Sequence, residues 1–500
     1  MDYRKPFETA TPEAVGIRSE DILSYIEALE KSQTEMHGLM IMRHGKLCTQ
    51  GWWAPFGPNL RHGLQSHTKT YAATAVGIAY TEGLVKLDER IIDIFPEDAP
   101  AEPSENLKLL TVRDVLCMGC GMDTMPWPSV DWIKQFLHTP VVHKPGTTYM
   151  YNSTGSTLLG AIVRKKTGLG LHDYLTPRLF NKIGIDPENL RWMCMPDGME
   201  VGGGGLFATT EDNFRLMKLY ADGGVWEGER ILAEDYVKLA VSKQNDSASE
   251  AKVNPPAKDN FLGYGFQIWM CKPEDSYRAD GAMGQFTIVL PKHDMIIGIT
   301  ETAGGAHWAQ TTLDITWEFV AKVTSRDALP ENPEAQDALK RKLSRLNIGN
   351  PPCQPFSPLV KQVSGNPYEL ASGTFTPFAG NFMNGRGPDN IKTFSLDFDV
   401  YGCIWNLETV AGRKESVRIS TNGTRFSNLL GTLKDEHQLY LCDGWWPQPD
   451  TFEMHCRWVE TCLEDTYILK FDGDRIAITA SNNSPWNMMG TEPVVAKLVK

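Results

Sequence analysis

The chain has 500 residues, enough for two or three domains with a large core, and its 41% apolar and 22% charged residues are those of a globular protein. It carries 49 Lys and Arg against 62 Asp and Glu, a net charge of −13 without blocks of like charge, which disfavours nucleic acid and anionic membrane as partners. No run reaches the length of a membrane span, and the start Met1-Asp2-Tyr3-Arg4-Lys5 lacks an apolar leader core, so a cytoplasmic location is expected.

Residues 20–31 read as a helix with Ile22, Leu23, Tyr25, Ile26 and Leu29 on one face. Residues 38–43 and 47–53 read as a hairpin around His44-Gly45-Lys46. Gln65-Ser66-His67-Thr68-Lys69-Thr70 then opens an apolar run over 71–80, a buried helix with Ser66 at its N-terminus. Lys69, three residues on, shares the face of Ser66. First-turn N–H groups and the positive dipole end favour negative charge there. Serine is a weak nucleophile until a neighbour takes its proton, and a desolvated lysine can do so. The competing reading is a helix cap beside a solvated lysine. Spacing alone does not choose, because Ser249-Glu250-Ala251-Lys252 repeats it in a polar stretch before Pro255-Pro256 that reads as a surface loop.

Residues 87–96 form a connector, and Thr111 caps a short helix over 111–116. Cys117-Met118-Gly119-Cys120 has redox or zinc spacing but no second CxxC or paired histidines. It reads as small residues at a tight turn, with the ten cysteines as reduced thiols. Pro145-Gly146-Thr147 turns the chain into Tyr149-Met150-Tyr151-Asn152-Ser153, ahead of helices over 154–166 and 171–184. Gly202-Gly203-Gly204-Gly205 lacks the Gly-Lys-Ser/Thr of a phosphate loop and reads as a close-packed strand turn. Helices over 210–220 and 233–241 follow, then strands over 261–269, 276–281, 285–290 and 295–302 and a helix over 306–323. One α/β domain with a mainly antiparallel sheet therefore covers 1–326.

Residues 327–365 read as a linker holding a short charged helix over 335–346. Over 366–500 short alternating runs (392–398, 416–420, 438–442, 451–459, 466–471, 475–480) suit an all-β barrel or sandwich. Gly444-Trp445-Trp446-Pro447-Gln448-Pro449 reads as an aromatic loop, either for a ligand or packed on the first domain or another subunit.

There is no Gly-x-Ser-x-Gly elbow, His-Glu-x-x-His, Walker or dinucleotide motif, and the eleven histidines lack ligand spacing, so neither cofactor nor metal is implied. Tyr151 has two readings. It is a phenolate base favoured by a nearby ammonium, or a core tyrosine at a helix start capped by Ser153 or Thr154. In Tyr277-Arg278-Ala279-Asp280-Gly281-Ala282-Met283-Gly284-Gln285, glycines let another backbone come close, so a strand N–H can join that of Ser66 as an oxyanion hole. The alternative is a plain strand and tight turn.

Ser66-His67-Thr68-Lys69, Tyr151-Asn152-Ser153 and Ala279-Asp280-Gly281, in this order, resemble the serine β-lactamase and penicillin-binding-protein superfamily. The likeness is to its class C β-lactamase-like branch of esterases, D-amino-acid peptidases and oligoamide hydrolases, over about residues 10–325. The resemblance implies a β-lactamase-like domain of α/β (α+β) class, with helices on both faces of the sheet and a helical subdomain. It implies Ser66, Lys69 and Tyr151 as catalytic residues and the Ser66 and Ala282 N–H groups as oxyanion donors, with Ser153, Asp280, Gly281 and Gly284 at the substrate. Two departures count: Ser153 stands where the family has asparagine, and Ala279 where it has lysine or histidine, with Asp280 adding negative charge. The expected substrate is a small neutral or amine-bearing ester, amide or short peptide, cleaved through a Ser66 acyl-enzyme with β-lactamase activity weak or absent. The alternatives are a penicillin-binding D-Ala-type carboxypeptidase, a β-lactamase, or a non-catalytic sensor on the same scaffold. A homo-oligomer stays open.

Overall fold

Ile22, Tyr25, Ile26 and Leu29 recur at the helical period and are all buried, which is why Ser19–Lys31 forms a helix, α1. The computed structural model describes residues 4–126, 129–304, 308–379, 389–431, 437–484 and 492–499. By its internal contacts the chain divides into two compact units, Met1–Asn347 and Ile348–Lys500.

In the first unit α1 leads into β1 (Thr34–Arg43) and β2 (Lys46–Trp52), joined by His44 and Gly45, both at positive φ. Next come α2 (Thr68–Thr81), α3 (Ser153–Thr167) and α4 (Thr210–Ala221), then β3 (Trp269–Met270), β4 (Tyr277–Gly281), β5 (Gln285–Leu290), β6 (Met295–Ala303), α5 (Trp308–Lys322) and α6 (Pro333–Leu343). The six strands make one antiparallel sheet in the order β2-β1-β6-β5-β4-β3. Helices α1 and α5 pack together and on β1, while α4 packs on β1, β5 and β6. A side chain at Gly38 or Gly298 would collide with Thr210 or Phe214, so these glycines let α4 settle onto the strands.

Helix α2 is buried on every side from Thr68 to Ala79, the pattern of a helix at the centre of a core. Gly77 faces the Tyr236 ring so closely that a Cβ would lie 2.4 Å from it. Helix α6, read from the sequence as linker, belongs to the first unit: Lys342 pairs with Glu30, and Gln336 Nε2 donates to Glu13. The strand expected over 261–269 is reduced to Trp269–Met270. Positive φ at Gly263 and Gln267 bends the chain, and Gly265 backs onto the Ala240 carbonyl, leaving an irregular segment. The helix expected over 171–184 holds a π turn at Thr176–Phe180, around Pro177.

The second unit is all-β: β7 (Tyr368–Ser372), β8 (Ile391–Phe398), β9 (Gly402–Thr409), β10 (Lys414–Ser420), β11 (Phe426–Gly431), β12 (His437–Gln448), β13 (Thr451–Trp458), β14 (Glu464–Asp472), β15 (Arg475–Asn482) and β16 (Val494–Leu498). Their order is β10-β9-β8-β7-β16-β15-β14-β13-β12-β11, and Ser420 of β10 also pairs with Asp443 of β12. That bridge closes a nine-stranded barrel, with β11 outside it on β12. Strict alternation fills it: Phe452, Met454, Cys456 and Trp458 of β13 point inward against Tyr467 and Leu469 of β14. Asp465 is buried among them, accepting from Trp458 Nε1 at 3.3 Å and Tyr467 Oη at 3.5 Å. Burial lifts its carboxyl to about 7. The aromatic stretch 444–449 is not a loop. Residues 444–448 continue β12, with Trp446 buried on Phe452 and Phe471 of the same barrel. Among the described residues no helix is long and apolar enough to cross a membrane.

Candidate active site

A two-residue strand, His62–Gly63, runs into a single 3-10 turn, Gln65–His67, which feeds α2. Gln65 sits at φ 51, a left-handed conformation that costs a non-glycine residue free energy and makes the turn sharp. Thr68 Oγ1 donates to the Gln65 carbonyl at 2.7 Å and accepts from Leu206 N at 3.2 Å, tying the turn to its neighbour strand. Ser66 is left half-buried in a setting otherwise closed to solvent.

Lys69 is 1% exposed, and its Nζ donates to Ser66 Oγ at 2.9 Å and also to the Gly203 carbonyl. Desolvation lowers its pKa to about 7, against a smaller opposing pull from Asp280. The tetraglycine stretch explains the carbonyl. A side chain at Gly203 would lie 2.2 Å from the Ser153 carbonyl, so only glycine lets this backbone reach under α3 to the amine. Gly203 N donates to Thr157 Oγ1 at 3.0 Å, fixing its direction. The sequence marked 202–205 as close-packed but held no sign that a carbonyl there would hold Lys69.

Tyr151 stands just before α3, whose N-terminus Asn152 caps through its side chain, accepting from Gly155 N at 2.8 Å. The Lys69 amine lies 4.7 Å from the Tyr151 ring centroid. The ring stacks on Trp269 at 5.8 Å and meets Tyr264 edge-on. Burial drives the phenol pKa well up, and a hydrogen bond with Ser66 pulls the other way. The structure thus brings Ser66, Lys69 and Tyr151 together from separate parts of the chain. Burial thus favours the protonated phenol and the neutral amine, against the phenolate reading of Tyr151.

The end of β4 forms the opposite wall. A Cβ at Gly281 would lie 2.0 Å from the Leu64 carbonyl and 3.2 Å from His67 N, so strand and nucleophile turn abut backbone to backbone. The turn Ala282-Met283-Gly284 follows, with Met283 and Gly284 at positive φ. Gln285, 1% exposed, clamps it by donating to the Met283 carbonyl at 3.2 Å and the Glu301 carbonyl at 2.7 Å. Among the described residues the main-chain N–H groups of Ser66 and Ala282 have no hydrogen-bond acceptor. Gly281→Ala is therefore expected to force β4 off the turn and slow acylation of Ser66 about 100-fold, the usual effect of one lost oxyanion donor. Labelling of Ser66 by a fluorophosphonate measures it.

Gly284, Ser153 and Asp280, expected at the substrate, each have protein neighbours that define their setting. Gly284 backs onto buried Glu301, 1.9 Å from where its Cβ would be, and shapes the turn. Ser153 opens α3 and makes no hydrogen bond to Lys69 among the described residues, and the Gly203 carbonyl is the second group at the amine. Asp280 is partly exposed and bound by Arg278 Nε at 2.7 Å. Arg278 is wholly buried, also donating to Asn260 Oδ1 at 2.6 Å and the Met270 carbonyl at 3.0 Å, so it does not reach out as a replacement cation. Ala279 is buried in the core. Cys117 and Cys120 are buried around Met118 at positive φ, with thiols pushed up by burial, Cys117 to about 12. Among the described residues no group of His, Cys, Asp and Glu is arranged to hold a metal.

The beta-lactamase family model matches residues 26–310, more than half of the chain. The 6-aminohexanoate-dimer hydrolase of Paenarthrobacter ureafaciens is 24% identical over 316 residues, covering 58% of this chain and 79% of that protein. Penicillin-binding protein 4 of Amycolatopsis lactamdurans is 26% identical over 281 residues, covering 48% and 72%. Among solved structures, the octameric penicillin-binding protein homologue from Pyrococcus abyssi superposes with a TM-score of 0.47 at 13% identity, covering 96% of this chain and 99% of that one.

Proposed function

The chain belongs to the beta-lactamase family, and we propose that within it this protein is a serine hydrolase that opens a small ester or amide through a Ser66 acyl-enzyme. One observation carries the reading: a buried amine, with its pKa brought to about 7, donates at 2.9 Å to a half-buried serine hydroxyl.

Neutral Lys69 takes the Ser66 proton as Oγ attacks the carbonyl carbon. The oxyanion lies between the Ser66 and Ala282 N–H groups, which have no other acceptor among the described residues. On collapse Tyr151 gives its proton to the leaving group and recovers one from the Lys69 ammonium, so the charges balance. Water then repeats the sequence on the acyl-enzyme. The likeness to a protein named as a 6-aminohexanoate-dimer hydrolase supports an amide as the bond cleaved.

A β-lactam carboxylate finds little here. Ala279 is in the core, the Arg278 guanidinium is committed to Asp280, and Asp280 carries the wrong charge. A panel of acyl esters, amino-acid amides and a chromogenic cephalosporin tests the reading, with esters or amides expected to turn over faster. Faster hydrolysis of the cephalosporin would overturn the substrate assignment.

A further inference from the structure

The spare Ser-x-x-Lys stretch over 249–252 offers no second nucleophile, because Ser249 and Lys252 are both exposed. His67, the residue after Ser66, stands in a different setting. Its ring is 1% exposed and takes no part in the proton transfers described above. Nε2 lies 3.1 Å from Thr287 Oγ1 on β5, while Nδ1 is buried with no partner among the described residues. A buried ring nitrogen left unpaired costs free energy that an apolar side chain of the same size would not. What an imidazole adds at this position is the bond through Nε2.

That bond ties together the two halves of the proposed oxyanion hole. The Ser66 N–H belongs to the turn Gln65–His67, and the Ala282 N–H follows Gly281 at the end of β4. On β5 Thr287 faces Ala279 of β4, and Gln285 faces Gly281. Thr287 and Gln285 are two residues apart, so they share a face of the sheet. Thr287 holds the His67 ring, while Gln285 Nε2 donates to the Ala282 carbonyl at 3.4 Å and the Met283 carbonyl at 3.2 Å. One strand thus grips the nucleophile turn and the turn that carries the second donor. The ring is neutral in this arrangement. A proton on Nε2 is given to Thr287 and leaves only a bare lone pair at Nδ1, whereas a second proton would be stranded there. Burial accordingly pulls the imidazole pKa down to about 4.

We propose that His67 is a positioning residue for acyl transfer: its Nε2 bond to Thr287 keeps the Ser66 N–H aimed at the same point as that of Ala282. This rests on the acyl-transfer reading above. His67 touches neither the substrate nor the reacting atoms and acts through the turn alone. Without the bond, Ser66 and Lys69 stay together on one helix face, but the turn is free to shift against β4. The loss then falls on the transition state, where the oxyanion forms, and spares the binding of substrate.

Two amide side chains tell the ring nitrogens apart, since the amide nitrogen of glutamine reaches the place of Nε2 and that of asparagine the place of Nδ1. In the full chain, His67→Gln should be labelled by a fluorophosphonate within about threefold of the wild-type maximal rate, and His67→Asn about 10- to 100-fold more slowly. The half-saturating probe concentration should hardly move in either. Thr287→Val should match His67→Asn, and the double variant should be no slower than either, because one bond is lost in all three. Labelling is run below the lowest melting temperature of the set, which keeps unfolding out of the comparison. A purely structural role would lower the melting temperature and leave these folded-state rates alike. Nitrogen NMR of the ring reads the bond without any turnover: Nε2 should carry the proton near neutrality, in a signal that shifts in Thr287→Val. An indifferent signal, a His67→Asn labelled as fast as wild type, or a His67→Gln as slow as His67→Asn overturns the positioning role. A wild type that is not labelled at all sinks the hydrolase reading itself, an outcome distinct from these.

Discussion

Ser66→Ala is expected to lower turnover by about 10^4-fold or more and to abolish fluorophosphonate labelling, with the fold intact. Ser66 Oγ is where the Lys69 amine and the Tyr151 phenol meet, so removing it leaves no atom to carry the acyl group. The residue is half-buried and packs little volume, so the loss to stability is one hydrogen bond, about 1 kcal/mol. Because the three groups act as a unit, a Ser66→Ala, Lys69→Met double variant should be hardly slower than Ser66→Ala alone. Steady-state rates on whichever ester or amide the panel finds, with thermal melts as a control on folding, measure this. Retained turnover in Ser66→Ala would remove the serine from the mechanism.

Local patterns carried much of this fold. The buried stripe of α1, the apolar run of α2 and the Thr111 cap are each set by residues within a turn of one another, and the structure has them. The pairing of Ser66 with Lys69 was legible for the same reason, since three-residue spacing on a helix is itself geometry. What could not be read depends on partners distant in the chain. The Gly203 carbonyl reaches Lys69 across 134 residues, and nothing in four glycines states what their backbone will face. Glu250 looked like part of a solvated loop because its neighbours are polar, and only the docking of that loop on Tyr149 turns it inward. In the second unit, the strands missed from sequence are β7, β9, β11 and β16. Three of these carry polar or small residues through the strand, such as Asn406 in β9, Ser427 and Asn428 in β11 and Lys497 in β16, which blurs the two-residue period. The stretch 444–449 failed in the opposite sense: Pro447 and Gly444 suggested a loop, but β12 runs through both.

Lys69→Met should slow acylation by about 10^3-fold, the scale of a lost general base, while making the first unit more stable at acid and neutral pH. The amine titrates near 7 in the folded chain and near 10.5 when unfolded, because burial disfavours its charged form. Between those values the unfolded chain binds more protons than the folded one, so stability rises with pH across that window. The penalty is therefore full below about pH 7 and gone by about pH 10.5, with an upper bound of about 5 kcal/mol. Methionine fills similar volume without the charge but leaves the Gly203 carbonyl without its donor, which costs about 1–3 kcal/mol at any pH. The net gain should be about 1–3 kcal/mol at pH 6, a few degrees in melting temperature, shrinking to nothing or reversing by pH 10. The wild-type kcat/KM should climb through about pH 7 as Lys69 loses its proton, with Tyr151 still protonated throughout, and the variant should lack that limb. An equal melting shift at both pH values would mean that the amine is not held neutral by burial. A rate limb that survives in Lys69→Met would assign the base to another group.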